Sequence, residues 1–455
     1  MKFNSLSRLK KAYSPNARRL SLSLKVLALL LFVSTYSQAQ IKNADSLKKT
    51  VQADSLRALA KIQNDKLNAQ YDISDVIHHI LHPNKPETPV QKKSGITVIP
   101  NVAYNPSIGA QIGIKAVAGR KLGSDPSTLM SVASTSASIT TKGILYFYIN
   151  HNIYTPGNDW NFQGSLVAAK TVTPDYGLGI GNGSNASVAD HILSDPERKG
   201  YVLHAQYYSF REKAYKQVDD NLFVGAGLAF DVRRNIEDKA HEDPTDLTPY
   251  NIYSDEHGFP RDHYMSNGML FNIEYTTRDN QNRAYKGIYA DLGVRENETF
   301  LGSTKNATQI TTDFRKYWSL SSTNPEHVLA FWNWGSYLVN GSVPYLELPG
   351  TGKDAGFRSG RAYTVQYFKS TQYFYSELEY RFPITRNKLL SGVTFCNVQT
   401  ANDMLGTEIF QKWQPAAGAG LRVLFNKATR TNLCMDYAYG VDHNKGFFLG
   451  LNEAF

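Results

Sequence analysis

The chain has 455 residues, a formal net charge of +9, 12% aromatic residues, 33 glycines and two cysteines, enough for two or three ordinary domains or one large closed sheet. Seven of the positive charges and no acid fall within residues 1–39, leaving +2 for the rest, so the basic excess is no sign of nucleic-acid binding. Cys396 and Cys434 alone exclude a disulfide framework, and no run of 18 apolar residues marks a membrane-spanning helix.

Residues 1–39 combine a basic start, the short apolar core "VLALLLFV" and a small-residue end at Ala39, the pattern of a secretory signal peptide. Residues 40–94 read as a short helical periplasmic leader and linker. Leu47, Val51, Leu56, Leu59, Ile62 and Leu67 recur at helical intervals, and "DISDVIHHILHP" predicts a second small amphipathic helix with Ile73, Val76, Ile77, Ile80 and Leu81 on one stripe, ended by Pro83. His78 and His82 share a face of that helix, but no third ligand accompanies them, so no metal centre is expected.

From about Gly95 the period becomes two. Leu145, Phe147, Ile149 and Ile153 alternate with Tyr146, Tyr148, Asn150 and Asn152, and Val224, Ala226 and Leu228 alternate with Gly225 and Gly227. About sixteen such segments can be placed between 95–103 and 446–455. The long connections, near 170–199, 233–267, 339–371 and 400–415, all fall on one side, whereas turns such as "PITRNK" and "NKATR" on the other stay short. That segregation predicts an all-β fold over 95–455, a closed antiparallel transmembrane β-barrel integral to the bacterial outer membrane, with a periplasmic N-terminus and 339–371 as the sixth long loop. Hydrocarbon offers backbone amides no partner, so the sheet must close, and outer-membrane lipid is its first partner. In the closing strand Phe447, Leu449, Leu451 and Phe455 share one parity, with Phe455 expected to face lipid or its aromatic girdle. Trp318, Trp332 and Trp334 are expected in that girdle. Gly446, Gly450 and Asn452 weaken the same strand and predict a weak seam.

The chain resembles the barrel domain of the BamA/TamA-like outer-membrane proteins, the bacterial surface antigen family, over roughly 95–455. The stretches that carry the resemblance are "YNPSIGAQIG" (104–113), "YGLGIGN" (176–182), "TTRDNQNRAYKG" (276–287), "ELEYRFPI" (377–384) and "AGLRVLFNKATRTNLCMDYAYG" (419–440). The family's diagnostic Arg-Gly-aromatic tripeptide in the sixth loop folds into the lumen, where its arginine meets wall carboxylates. Here "DAGFRSGRAY" aligns Gly356 and Phe357 with it and leaves Ala355 in the arginine's place, so the resemblance implies that Arg358 or Arg361, flanking Gly360, supplies the charge. By parity Glu377, Glu379, Arg381, Arg422 and Asp436 point inward to receive it, and Cys434 stands where relatives tend to carry arginine. The family's periplasmic POTRA modules find no room in the roughly 55 residues between Gln40 and Gly95.

No Gly-x-Ser-x-Gly elbow or grouped histidines suggest an enzyme, and no cofactor site is expected. "SDEHGFPRDHY" (254–264) reads as a solvated loop tip rather than a cation site, and "DYGLGIGNGSN" as a loop with positive-φ positions. The resemblance implies a role in outer-membrane biogenesis, by protein insertion or translocation or by lipid handling, together with periplasmic or outer-membrane accessory proteins. The alternatives are a porin-like channel, passive or selective, and a surface-exposed structural or binding protein.

Overall fold

The computed structural model describes residues 69–82, 96–123, 128–180, 201–238, 248–404, 406–427 and 429–455. The expected signal peptide, the helix of 41–71 apart from its last three residues, and most of the linker lie outside the described residues.

Sixteen strands are described: β1 (Ile96–Asn105), β2 (Gly109–Lys121), β3 (Met130–Thr140), β4 (Leu145–Tyr154), β5 (Trp160–Asp175), β6 (Tyr201–Asp219), β7 (Leu222–Asp238), β8 (His263–Thr276), β9 (Gly287–Asn297), β10 (Ala307–Ser319), β11 (Val328–Gly341), β12 (Gln372–Pro383), β13 (Leu390–Ala401), β14 (Gln414–Asn426), β15 (Thr431–Gly440) and β16 (Lys445–Leu451). Each pairs antiparallel with its neighbours in sequence, and β16 meets β1 to close the barrel. The alternation read from the sequence sets the two faces. Phe147, Ile149, Leu166, Phe210, Leu228, Phe271 and Ile273 are exposed on the outside, whereas buried Glu274, Asp231, Glu377, Glu379 and Arg422 line the inside. An apolar exterior around a charged interior is stable only where the exterior meets hydrocarbon.

Two expectations fail on the inward face. Trp332 and Trp334 are buried in the lumen rather than in a girdle, because β11 places Ala330, Trp332 and Trp334 on its inner parity; Trp318, on β10, is exposed as expected. Phe455 does not face lipid either. β16 ends at Leu451, Asn452 turns the chain with φ +69°, and Phe455 packs inside at 5% exposure against Trp332.

The odd-to-even connections form the long-loop rim and the even-to-odd connections the short-turn rim. At the latter sits the predicted leader helix, α1 (Ile73–Leu81), N-capped by Asp72 with Asp75 completing a capping box. It is held by the Lys427 N–H donating to Asp72 Oδ2 at 3.0 Å, Lys427 Nζ to Asp75 Oδ2 at 2.7 Å and the Tyr71 N–H to the Asn387 carbonyl at 3.0 Å. The β8–β9 turn, 277–286, reaches across the same rim. Gln281 Nε2 donates to Tyr154 Oη at 3.1 Å, Tyr285 Oη to Glu326 at 3.0 Å and Asn282 Nδ2 to the Thr429 carbonyl at 3.0 Å, linking the ends of four hairpins.

Candidate functional site in the lumen and at the seam

The connection between β11 and β12 enters the barrel instead of rising from it. Lys369 Nζ donates to Asp175 Oδ1 at 2.8 Å while lying 3.6 Å from the centre of the Tyr345 ring, and Arg233 Nε meets Glu347 Oε1 at 3.0 Å. A second helix, α2 (Pro249–Glu256), lies against this loop through the Tyr253 hydroxyl, which donates to the Val343 carbonyl at 3.0 Å. "SDEHGFPRDHY" is therefore only partly a solvated tip: Ser254 and Phe259 are buried, while Asp262 and His263 are exposed.

At the loop's deepest point Arg361 lies 3.5 Å from the centre of the Phe395 ring. Its Nη2 donates to both Glu377 and Glu379, its Nε to Glu377 Oε2 at 3.2 Å and its Nη1 to Asp436 Oδ2 at 3.0 Å. Strand period places the partners: Glu377, Glu379 and Arg381 occupy alternate positions of β12, and Asp436 comes from β15. The loop presents Arg361 through two left-handed residues, Gly360 (φ +80°) and Ala362 (φ +105°). A Cβ on Gly360 would lie 2.3 Å from Thr351 Cγ2, so glycine is required there. Tyr363 then seats its ring against Gly440, donates to the Pro415 carbonyl at 2.7 Å and accepts from the Val441 N–H at 3.0 Å.

This geometry corrects the alignment of the tripeptide. Ala355, Gly356 and Phe357 are exposed and touch no wall carboxylate, and Phe357 is 59% accessible. Arg361-Ala362-Tyr363, with its arginine on the wall carboxylates, instead takes the place that the resemblance implies for an Arg-Gly-aromatic unit. The departure therefore falls at the glycine, where alanine adopts a backbone angle that favours glycine. The sequence signal is present in "GRAY", but Gly356-Phe357, six residues before Ala362-Tyr363, matches the motif's last two positions in residue type.

The charge cluster extends beyond the residues expected. Arg422 Nη1 donates to Asp436 and its Nε to Glu453 Oε2 at 2.7 Å, and Arg381 Nε donates to Glu379 Oε1 at 2.6 Å. Arg283, from the β8–β9 turn, lies 3.4 Å from Glu453 and donates to Ser391 Oγ at 2.9 Å. Arginines 283, 361, 381 and 422 thus face Glu377, Glu379, Asp436 and Glu453, all buried and equal in number. Burial of ions is tolerable only with such complete pairing. Glu453 shares the parity of Phe447, Leu449 and Leu451, and Arg283 lies in the stretch 276–287, but only the fold joins them. Cys434 is buried beside this cluster, 3.1 Å from the Asn452 carbonyl.

The seam is the other unusual element. β1 matches β2 over ten residue pairs, from Ile96↔Ala118 to Asn105↔Gly109, yet meets β16 at the single pair Tyr104↔Leu449. Phe447 and Leu449 lie on the strand parity opposite the buried Gly446 and Gly450, and Phe447 is exposed outside next to Tyr104. Arg358 reaches this region rather than the wall carboxylates, donating from Nη2 to the Leu451 carbonyl at 2.9 Å.

The sequence profile of the Omp85 superfamily domain matches residues 133–455. Among solved structures, BamA from Haemophilus ducreyi lacking POTRA domains 1–3 is similar with a TM-score of 0.52 at 14% identity, covering 79% of this chain and 70% of that one. CdiB from Escherichia coli has a TM-score of 0.51 at 7% identity, covering 80% and 64%. At these identities the likeness is one of fold. No curated protein matches the sequence.

Proposed function

The chain belongs to the Omp85 superfamily as an integral outer-membrane β-barrel, and from that premise we propose that it inserts or translocates client polypeptides at the junction of β1 and β16. The observation that carries this reading is the one-pair seam in a wall whose other ladders are long. A closed sheet resists lateral entry because each rung must break; a junction of one rung does not. An extended client segment could add to an unsatisfied strand edge there through backbone hydrogen bonds, whatever its side chains.

The short-turn rim and α1 face the periplasm in this reading, which the one-sided placement of long loops supports. Accessory proteins would meet the barrel from that side. A porin-like channel is less well supported, since loop 342–371 and the β8–β9 turn both occupy the lumen or its mouth.

Depletion of the protein followed by quantitative proteomics of the outer membrane tests the proposal. Loss of other barrels or of exported substrates is expected, and an unchanged outer-membrane proteome would refute it.

A further inference from the structure

The seam stops at one rung for reasons written into both strands. The Asn452 N–H donates to the Asn432 carbonyl on β15 at 2.9 Å. In an antiparallel ladder successive residues turn their polar groups to opposite sides, so Leu451 and Leu449 direct theirs towards β1. The register Tyr104↔Leu449 sets Pro106 opposite Phe447, Val102 opposite Leu451 and Pro100 opposite Glu453. The positions that face β16 are therefore Pro100, Val102 and Tyr104 of β1 and Pro106 just beyond it. Two of these four lack an N–H and can donate nothing. Glu453 is in any case drawn into the lumen by Arg422 and Asn432.

A prolyl carbonyl can still accept a bond, but beyond Tyr104↔Leu449 only Val102 and Leu451 can exchange a full pair of hydrogen bonds, and the Leu451 carbonyl that the Val102 N–H would use is held by Arg358. The loop is shaped to deliver it. Asp354 accepts from the N–H groups of Gly356 at 3.0 Å, Arg358 at 2.9 Å and Ser359 at 2.8 Å, gathering 354–359 into a tight turn. The guanidinium then lies over Gly450, where a Cβ would stand 3.4 Å from it.

We propose that Arg358 is a positioning residue of the seam: its guanidinium stands in for the β1 amide at Leu451 and keeps the second rung unmade. This rests on the insertion reading given above and deepens it. A client strand adding to β16 displaces one flexible side chain, whereas without Arg358 it would have to break a rung of the wall.

The test uses the full chain in detergent with Cys396→Ser, Cys434→Ser, Val102→Cys and Leu451→Cys, the two introduced thiols being joined by addition to a short bis-maleimide. Adding Arg358→Ala frees the carbonyl for Val102, and cross-linking is expected to rise about fivefold, the population shift that one net hydrogen bond commands. Arg358→Lys retains a donor and should stay near the parent rate. An unchanged or slower rate in Arg358→Ala overturns the proposal. Should that variant fail to fold, hydrogen exchange on the parent chain decides: the Val102 amide should exchange at least about tenfold faster than that of Ala103, whose N–H faces β2, and equal protection overturns the proposal. Failure of the depletion experiment would reject client insertion but leave both of these results standing, so the two ideas fail separately.

Discussion

The ring of Phe455, the last residue, stacks on Trp332 with centroids 5.2 Å apart inside the barrel, while Arg381 Nη2 donates to the Phe455 carbonyl at 2.9 Å. Phe455 thus packs on the inner face of β10, β11 and β12, against Tyr317, Trp332 and Arg381, and does not face lipid. Phe455→Ala should cost about 3 kcal/mol through the cavity it leaves. A lower temperature for loss of the compact, heat-modifiable form on gels, with a shift in tryptophan emission, would register it; an unchanged transition would show that the ring does not anchor the tail.

Arg361 meets three carboxylates at once, and removing it leaves buried Glu377 without an ion partner and Glu379 and Asp436 with Arg381 and Arg422 alone. Arg361→Ala should destabilise the barrel by about 3–5 kcal/mol. Glu379→Lys, which sets a cation between Arg361 and Arg381, should make the loop cleavable by added protease. Folding, heat-modifiability and loop resistance all unchanged in Glu379→Lys would count against the pairing.

Ala362 holds φ +105° with a Cβ in place. Ala362→Gly should therefore stabilise the loop by about 1 kcal/mol, because the strain removed exceeds the chain entropy gained on unfolding. Thermal melting of the purified barrel would detect the rise, and a fall would mean that the methyl group packs favourably.

Burial alone would raise the Glu347 pKa, but Lys353 and Arg233 outweigh it and hold the carboxyl down at about 2, below its ordinary 4.5. A lowered folded-state value stabilises fully above pH 4.5 and loses that contribution as pH falls towards 2. Amide exchange in 343–353 should therefore quicken between pH 4.5 and about 3, measured against the intrinsic rate at each pH, and Glu347→Gln should abolish the dependence. A loop equally protected at both pH values in the parent chain would contradict this.

Arg283 ties the β8–β9 turn to Ser391 and Glu453 across the short-turn rim. Arg283→Ala should loosen that bridge and raise single-channel conductance and opening frequency in planar bilayers. Traces identical to the parent's would show that the turn does not restrict passage.

Much of the architecture was legible without coordinates, because a two-residue period with one apolar face is a local property of each strand. The amphipathic α1 follows from the helical period of its own apolar stripe, whereas the even strand count and the one-sided long loops follow from the strand period. The inward set Glu377, Glu379, Arg381, Arg422 and Asp436 was legible for the same reason. Parity counted through β16 misled at Phe455, since Asn452 breaks the strand two residues after Gly450 and alternation carries no information past a turn. The tripeptide was misplaced because a Gly-Phe pair matches in composition, whereas the positive φ at Ala362 cannot be read from an alanine codeword.

The sequence by itself determined that this chain is a lipid-facing barrel with a charged interior, because side-chain alternation and the demand for closed backbone pairing act residue by residue. Only the tertiary structure decided that Arg361 meets three carboxylates, that Arg283 and Glu453 join them, and that Arg358 takes the Leu451 carbonyl. Those contacts span 16 positions from Arg361 to Glu377, 75 from Arg361 to Asp436 and 93 from Arg358 to Leu451. Their partners are chosen by register and by loop entry into the lumen, which no local pattern encodes.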